Sequence, residues 1–165
     1  MTTASVWEET RTFFPLFLSQ IEKRQARSAC VVGASDGKFV LPLARRGIHV
    51  FAIERNQTAV DGGPITLPGP TDTVMPGLRR LSEFIGSMIR LCRPRGGILG
   101  AEYMMPVEPR HFTIEHYPGE GNLRSHLPGW SIDWETYTPA FVEAPHVEQL
   151  TEHVHRMGLI IATRP

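Results

Sequence analysis

The residues best suited to chemistry in this 165-residue chain are a turn of small residues, Gly33-Ala34-Ser35-Asp36-Gly37, and an acid further along, Glu54. A turn of this kind between a parallel strand and a helix points backbone N–H groups and a helix N-terminus at whatever lies beyond the strand's carboxyl end. Its glycines let a ligand approach the backbone closely. An acid that closes the following strand can accept hydrogen bonds from both hydroxyls of a ribose, so the pair reads as a nucleoside site more than a bare anion site. Arg55 follows the acid and joins the candidate set. The plain alternative is a helix-capping turn with an exposed acid nearby. A dinucleotide site of the G-x-G-x-x-G kind is a second rival, which Gly33, Ser35 and Gly37 fit less well.

A second group follows an apolar run at residues 98–103. Glu102, Tyr103, Glu108, His111 and His116 lie in or just after it, where ligands bind in open α/β sheets. Glu102, Tyr103 and His111 are the candidates for a catalytic role. His111 is the choice for a general base, since imidazole alone titrates near neutrality without special help; the alternative is a solvated loop histidine. His146, His153 and His155 invite a metal reading, but on a helix the first two lie two turns apart and the third points elsewhere. No metal site is expected from that spacing.

The elements that must position these groups follow from apolar periodicity. Residues 1–27 form a helical preface with two patches, at residues 5–10 and 15–24, the second opening on Pro15. Residues 29–32 make a short buried strand, the small-residue turn follows, and Phe39, Val40, Leu43 and Ala44 fall at helical spacing until Gly47. Pro42 inside that helix predicts a kink or a late start. Residues 48–53 are a second strand, completing a β-α-β unit of about 30 residues with its strands parallel. Residues 55–77 are rich in Gly and Pro and read as an irregular loop. Residues 78–92 return to helical spacing, ended by Arg93-Pro94-Arg95-Gly96-Gly97. Strand 98–103 follows, then an alternating strand in which Trp130, Ile132, Trp134 and Thr136 share one face. A helix opening on Pro145 and carrying Val147, Leu150 and Val154 precedes a last buried strand at 157–162.

With the elements in place, the segment VVGASDGKFVLPLARRGIHVFAIERN resembles the S-adenosylmethionine (SAM) motif of class I methyltransferases. The run RPRGG resembles the turn before that family's fifth strand, and the ending GLIIATRP the final antiparallel pair of small methyltransferases of the tellurite-resistance and thiopurine type. The resemblance covers about three-quarters of the chain. It implies a reduced Rossmann-like α/β fold, a mostly parallel sheet with a C-terminal antiparallel strand pair, in one domain over 1–165. It implies SAM as cofactor and S-adenosylhomocysteine as product, with Gly33, Ser35 and Gly37, together with Ala34 and Asp36 of the same turn, along the methionine end. Glu54, with Arg55 beside it, would hold the ribose. The implied activity is methyl transfer to a small-molecule acceptor; a non-catalytic binding relative and a SAM enzyme catalysing a rearrangement are the alternatives.

The chain departs from the family in two ways. Val31 stands where the family carries an acid and Ser35 where it carries a second glycine. Residues 55–92 supply one loop and one helix where the family places two further strands and their helix. Deleting those strands, the third and fourth, from the family's strand order would leave 2-1-5-7-6.

Bulk properties narrow the partners. Seventeen basic and seventeen acidic residues balance, with a pI near 7.1, so no global field draws nucleic acid or an anionic membrane. No apolar stretch approaches the length of a membrane span, and the start MTTASVWEET lacks the basic and apolar regions of a signal peptide. Cys30 and Cys92 sit in apolar runs and read as buried free thiols, which points to the cytoplasm. A homo-oligomer remains open.

Overall fold

The computed structural model describes residues 7–32, 39–53, 81–107, 118–144 and 151–165. The chain divides into two compact units, one of Ile21–Arg79 and one of Met1–Gln20 with Arg80–Pro165. The first helix, α1 (Trp7–Lys23), spans the division. It merges the two expected helical patches into one, with Pro15 inside it and not at its start.

In the first unit the chain leaves α1 through Gln25, at φ 51°, while Ala26 N–H donates to the Ile21 carbonyl at 3.1 Å. The strand β1 (Ser28–Val32), the short helix α2 (Val40–Ala44) and the strand β2 (His49–Ile53) follow. The two strands pair in parallel, as the β-α-β reading requires, with Ser28 opposite His49 and Val32 opposite Ile53. Pro42 is tolerated because α2 starts late. It is the third helical residue, among the first-turn positions whose N–H groups have no intrahelical partner in any case. Gly47, at φ +74°, turns the chain out of the helix, and Val40, Leu43 and Ile48 are buried.

The second unit is built on β3 (Ile98–Met104), β4 (Ser131–Tyr137) and β7 (Met157–Thr163), in the order β3-β7-β4 with both ladders antiparallel. Between β4 and β7 lie the short antiparallel strands β5 (Phe141–Glu143) and β6 (His153–His155). A near-continuous apolar run such as that of β7 suits a strand covered on both faces and paired on both edges. Leu159, Ile160, Ile161 and Ala162 are all at most 1% exposed.

Helices cover this sheet on both faces. On one face Ile85 of α3 (Leu81–Leu91), Leu123 of the turn α4 (Asn122–Ser125) and Leu127 just beyond it pack on Leu99, Ile160 and Ala162. On the other, Phe13 and Phe17 of α1, stacked at 6.0 Å, lie over Gly100, and Phe13 meets Trp134 at 6.1 Å. A Cβ on Gly100 would come within 2.6 Å of the Phe17 ring, so the helix seats where the strand has no side chain. The RPRGG turn ends α3 with Arg95 and Gly96 at positive φ, and their N–H groups donate to the carbonyls of Pro165 and Arg164. The Arg164 guanidinium in turn donates to the Ile89 and Cys92 carbonyls, in the last turn of the helix and just past it.

Three expectations change. The sheet is not mostly parallel: among the described residues three of the four ladders are antiparallel, because the most apolar strand, β7, lies between two strands that oppose it. The 2-1 and 5-7-6 parts of the expected strand order are both present, as β2-β1 and β3-β7-β4. The alternation over residues 130–136 does not put Ile132 and Trp134 on one face. A β-bulge at Asp133 sets Ile132 opposite Ala162 and Trp134 opposite Ile161, so they turn to opposite sides of the sheet. Finally, residues 153–155 are strand and not the end of a helix.

Candidate functional site

The expected nucleoside-binding residues Gly33, Ala34, Ser35, Asp36, Gly37, Glu54 and Arg55 lie outside the described residues, as do Glu108, His111, His116 and His146. What is described is the platform beneath the first set. Val32 and Ile53 end β1 and β2 as direct partners in the parallel ladder, and Gly33 and Glu54 are their next residues in the chain. The two neighbouring strands thus finish level, with their carboxyl ends on the same side. Cys30, on β1, is a half-buried free thiol whose ionisation burial pushes up, so it is neither a ready nucleophile nor a ready metal ligand.

The second candidate group divides. Glu102 and Tyr103 are adjacent on β3 and therefore project to opposite faces of the sheet. Glu102 shares its row with Leu159 and Thr136, on the α1 face, and Tyr103 shares the next row with Gly158 and Tyr137, on the α3 face. They cannot act side by side on one substrate atom.

Around Tyr103 the structure assembles a polar network within an apolar layer. Tyr137 donates its phenol to Glu135 Oε1 at 2.6 Å and accepts from the Gly121 N–H at 2.7 Å. Arg124 pairs with Glu135, whose side chain is 4% exposed, so the buried carboxylate is held by one cation and one phenol. Arg156 pairs with Glu120 and donates from Nε to the Thr138 carbonyl. The Tyr103 hydroxyl, by contrast, is buried with no hydrogen-bond partner among the described residues. Burial first, then the neighbouring Tyr137 and Glu135, raise its ionisation far above the usual phenol value, with Arg124 opposing weakly. Tyr137 is raised too, by burial and by its bond to Glu135. Near neutral pH Tyr103 can therefore donate a hydrogen bond but cannot abstract a proton.

Strand β6 brings together residues that helical spacing would have separated. His153 and His155 lie two apart on a strand, on one face, and Glu143 of β5 is the direct cross-strand partner of His153. Their donor atoms lie within 4.8 Å of one another. Two signals for this arrangement were available: Phe141-Val142-Glu143 carries aromatic and β-branched residues between Pro139 and Pro145, and the run His153-Val154-His155 alternates. Gly158 was also missed as a positioning residue. A Cβ there would lie 2.7 Å or less from three atoms of the Tyr103 ring and hydroxyl, so Tyr103 can occupy its place only above a glycine.

By sequence, neither a family model nor a curated protein matches the chain. Solved structures share its fold, two of them as follows. TehB from Haemophilus influenzae superposes with a TM-score of 0.65 at 12% identity, over 92% of this chain and 62% of that one. A protein whose structure accompanies the conversion of a disulfide bond into a thioacetal group during echinomycin biosynthesis gives a TM-score of 0.51 at 15% identity, over 91% and 82%. The chain thus spans less than two thirds of TehB. At these identities the likeness is one of fold alone. Among the described residues no helix is long and apolar enough to cross a membrane.

Proposed function

We propose that this chain binds SAM through its β1-turn-α2-β2 unit and transfers the methyl group to a small-molecule acceptor. The observation that carries the reading is the level, parallel ending of β1 and β2 at Val32 and Ile53. By chain connectivity a run of small residues begins directly after the first and an acid directly after the second. That combination is selective for a nucleoside, and the methyltransferase-type fold supports it further. Gly33, Ser35 and Gly37, with Ala34 and Asp36, are assigned to the methionine end, and Glu54, with Arg55, to the ribose.

Methyl transfer from a sulfonium is an in-line displacement, so the protein's task is proximity and alignment. A base is needed only when the acceptor must lose a proton. His111 is assigned that role. Tyr103, held protonated, and Glu102, on the opposite face, are not bases in this scheme. A second reading, a SAM enzyme whose chemistry is a rearrangement at sulfur, is favoured by the likeness to the echinomycin-pathway protein.

Titration calorimetry with SAM and with S-adenosylhomocysteine tests the binding step. Dissociation constants in the micromolar range, about −8 kcal/mol, are expected, with Glu54→Ala and Gly33→Leu each weakening binding at least tenfold. A folded chain that binds neither compound would end the enzymatic reading and leave a non-catalytic relative. Binding with no turnover across thiol, amine and oxyanion acceptors would favour the rearrangement.

A further inference from the structure

Three side chains of the β5–β6 pair carry an assignment that the nucleoside reading does not use. Glu143 and His153 face each other across the ladder, and His155 sits two residues along on the same face, opposite Phe141. Glu143 Oε2 lies 3.5 Å from His153 Nε2 and 2.8 Å from His155 Nε2. The three side chains are 13–22% exposed, sheltered enough to limit competition from water and open enough for an ion to enter. Phe141 packs beside His155 at 5.8 Å and gives the cluster one apolar wall.

An independent observation fixes how one of these rings is used. His153 Nδ1 lies 2.8 Å from the Thr151 carbonyl, and a carbonyl can only accept, so Nδ1 carries the proton. In the neutral ring Nε2 is then an acceptor, and it faces a carboxylate oxygen. Two lone pairs converging at 3.5 Å repel unless a cation lies between them or the ring takes a second proton. A histidine whose Nδ1–H is held by a backbone carbonyl while Nε2 faces a carboxylate is oriented as metal-ligating histidines are.

We propose that Glu143, His153 and His155 bind one zinc ion, with the fourth position left to water or an incoming ligand. Two nitrogens and one oxygen are a donor set that zinc accepts in tetrahedral sites with an open position. Zinc–ligand bonds of about 2.0–2.1 Å in that geometry place donor atoms about 3.4 Å apart. The Glu143–His153 pair already has that separation, and the Glu143–His155 pair needs to open by about half an ångström. The ion would tie β5 to β6 and fix the pairing of two three-residue strands, which are short for stable pairing by backbone bonds alone. The assignment is independent of SAM binding.

The test uses the untagged chain, stripped with EDTA and dialysed, titrated with zinc chloride by calorimetry and with cobalt(II) by absorption. One zinc per chain with micromolar or tighter affinity is expected, together with the visible bands of four-coordinate cobalt. The melting temperature should rise by about 5 °C or more at zinc well above the dissociation constant. Glu143→Gln and His155→Ala should each weaken binding at least tenfold while circular dichroism stays unchanged, and His126→Ala, outside the cluster, should bind as the parent does. A folded chain with no zinc heat and no cobalt bands would overturn the proposal, leaving a polar contact of Glu143 with the two histidines. Equal affinity in the parent, Glu143→Gln and His155→Ala would overturn it as well, by placing the ion elsewhere.

Discussion

Strand β7 and strand β2 are both short apolar runs that end beside residues of interest, yet they are held in different ways. β7 is paired along both edges and has helices over both faces, with four consecutive side chains at most 1% exposed. β2 is paired with β1 alone among the described residues and alternates, with Phe51 58% exposed beside His49. One strand is a beam and the other a shelf. The chemistry proposed for this chain begins at the ends of the shelf, where backbone must remain accessible to a ligand. The stability is concentrated in the beam, and this division is usual when binding loops are carried on a rigid scaffold.

The largest contrast is expected when one large side chain in each strand is truncated. Leu159→Ala should cost about 2–5 kcal/mol in urea unfolding, because a fully buried side chain leaves a cavity. Phe51→Ala should stay within about 0.5 kcal/mol of the parent, as exposed positions usually do. Comparable losses at the two positions would mean that the β2 face is covered in solution, by a second copy or another partner. Native-state hydrogen exchange extends the test to the backbone: amides of β7 should exchange near the global unfolding limit and those of β2 well before it.

A smaller effect is expected at the row where Tyr103 crosses β7. Gly158→Ala should destabilise by about 1–3 kcal/mol through overpacking against the Tyr103 ring, and Tyr103→Ala should relieve much of that penalty in a double-mutant cycle. Additive losses would show that the glycine acts through its backbone alone.

Tyr103→Phe is expected to leave stability unchanged or raise it by about 1 kcal/mol, since it removes a buried hydroxyl with no partner among the described residues. If turnover falls while stability holds, the hydroxyl serves an acceptor and not the fold.

The smallest signal is in alkali. Both Tyr103 and Tyr137 ionise above their ordinary value in the folded chain, so the native state holds those protons longer than the unfolded one. The stability they contribute is whole below about pH 10 and is lost as pH climbs through the folded values. Urea midpoints should therefore fall above about pH 10, and Tyr103→Phe should flatten that limb.

Much of this architecture was legible because apolar runs are local signals. Strands at 29–32, 48–53, 98–103 and 157–162, the helix over 78–92 and the late start forced by Pro42 all follow from neighbours in sequence, and each lies within a residue or two of the observed element where the chain is described. Pairing direction was legible for β1 with β2, through the β-α-β unit, and for the C-terminal antiparallel pair; for β3 it was not, since whether β7 joins it in parallel or antiparallel depends on where the chain travels between them. His153 to His155 misled for a related reason. Three residues cannot distinguish a period of 2 from one of 3.6, and only the cross-strand partner, Glu143, fixes the assignment. Of the candidate site, the residue types were readable and the juxtapositions were not: Glu102 and Tyr103 are neighbours in sequence and strangers in space, while Glu143 and His155 are the reverse.

The bulge in β4 acts on the strand as a one-letter insertion acts on a reading frame. Removing one codon from a strand ordinarily inverts every side chain beyond it. At Asp133 the opposite holds, because this residue is the unpaired one between the Ile132–Ala162 and Trp134–Ile161 partners. Its deletion would restore plain alternation with Ile132 and Trp134 on their present sides, giving up chiefly the 2.5 Å hydrogen bond from Thr163. Deleting Ile132 instead would press an aspartate into the apolar layer, and deleting Glu135 would exchange the faces of Thr136 and Tyr137. Strand β4 thus holds one spare letter, and a scan of single-residue deletions along it should find one tolerant position among intolerant ones.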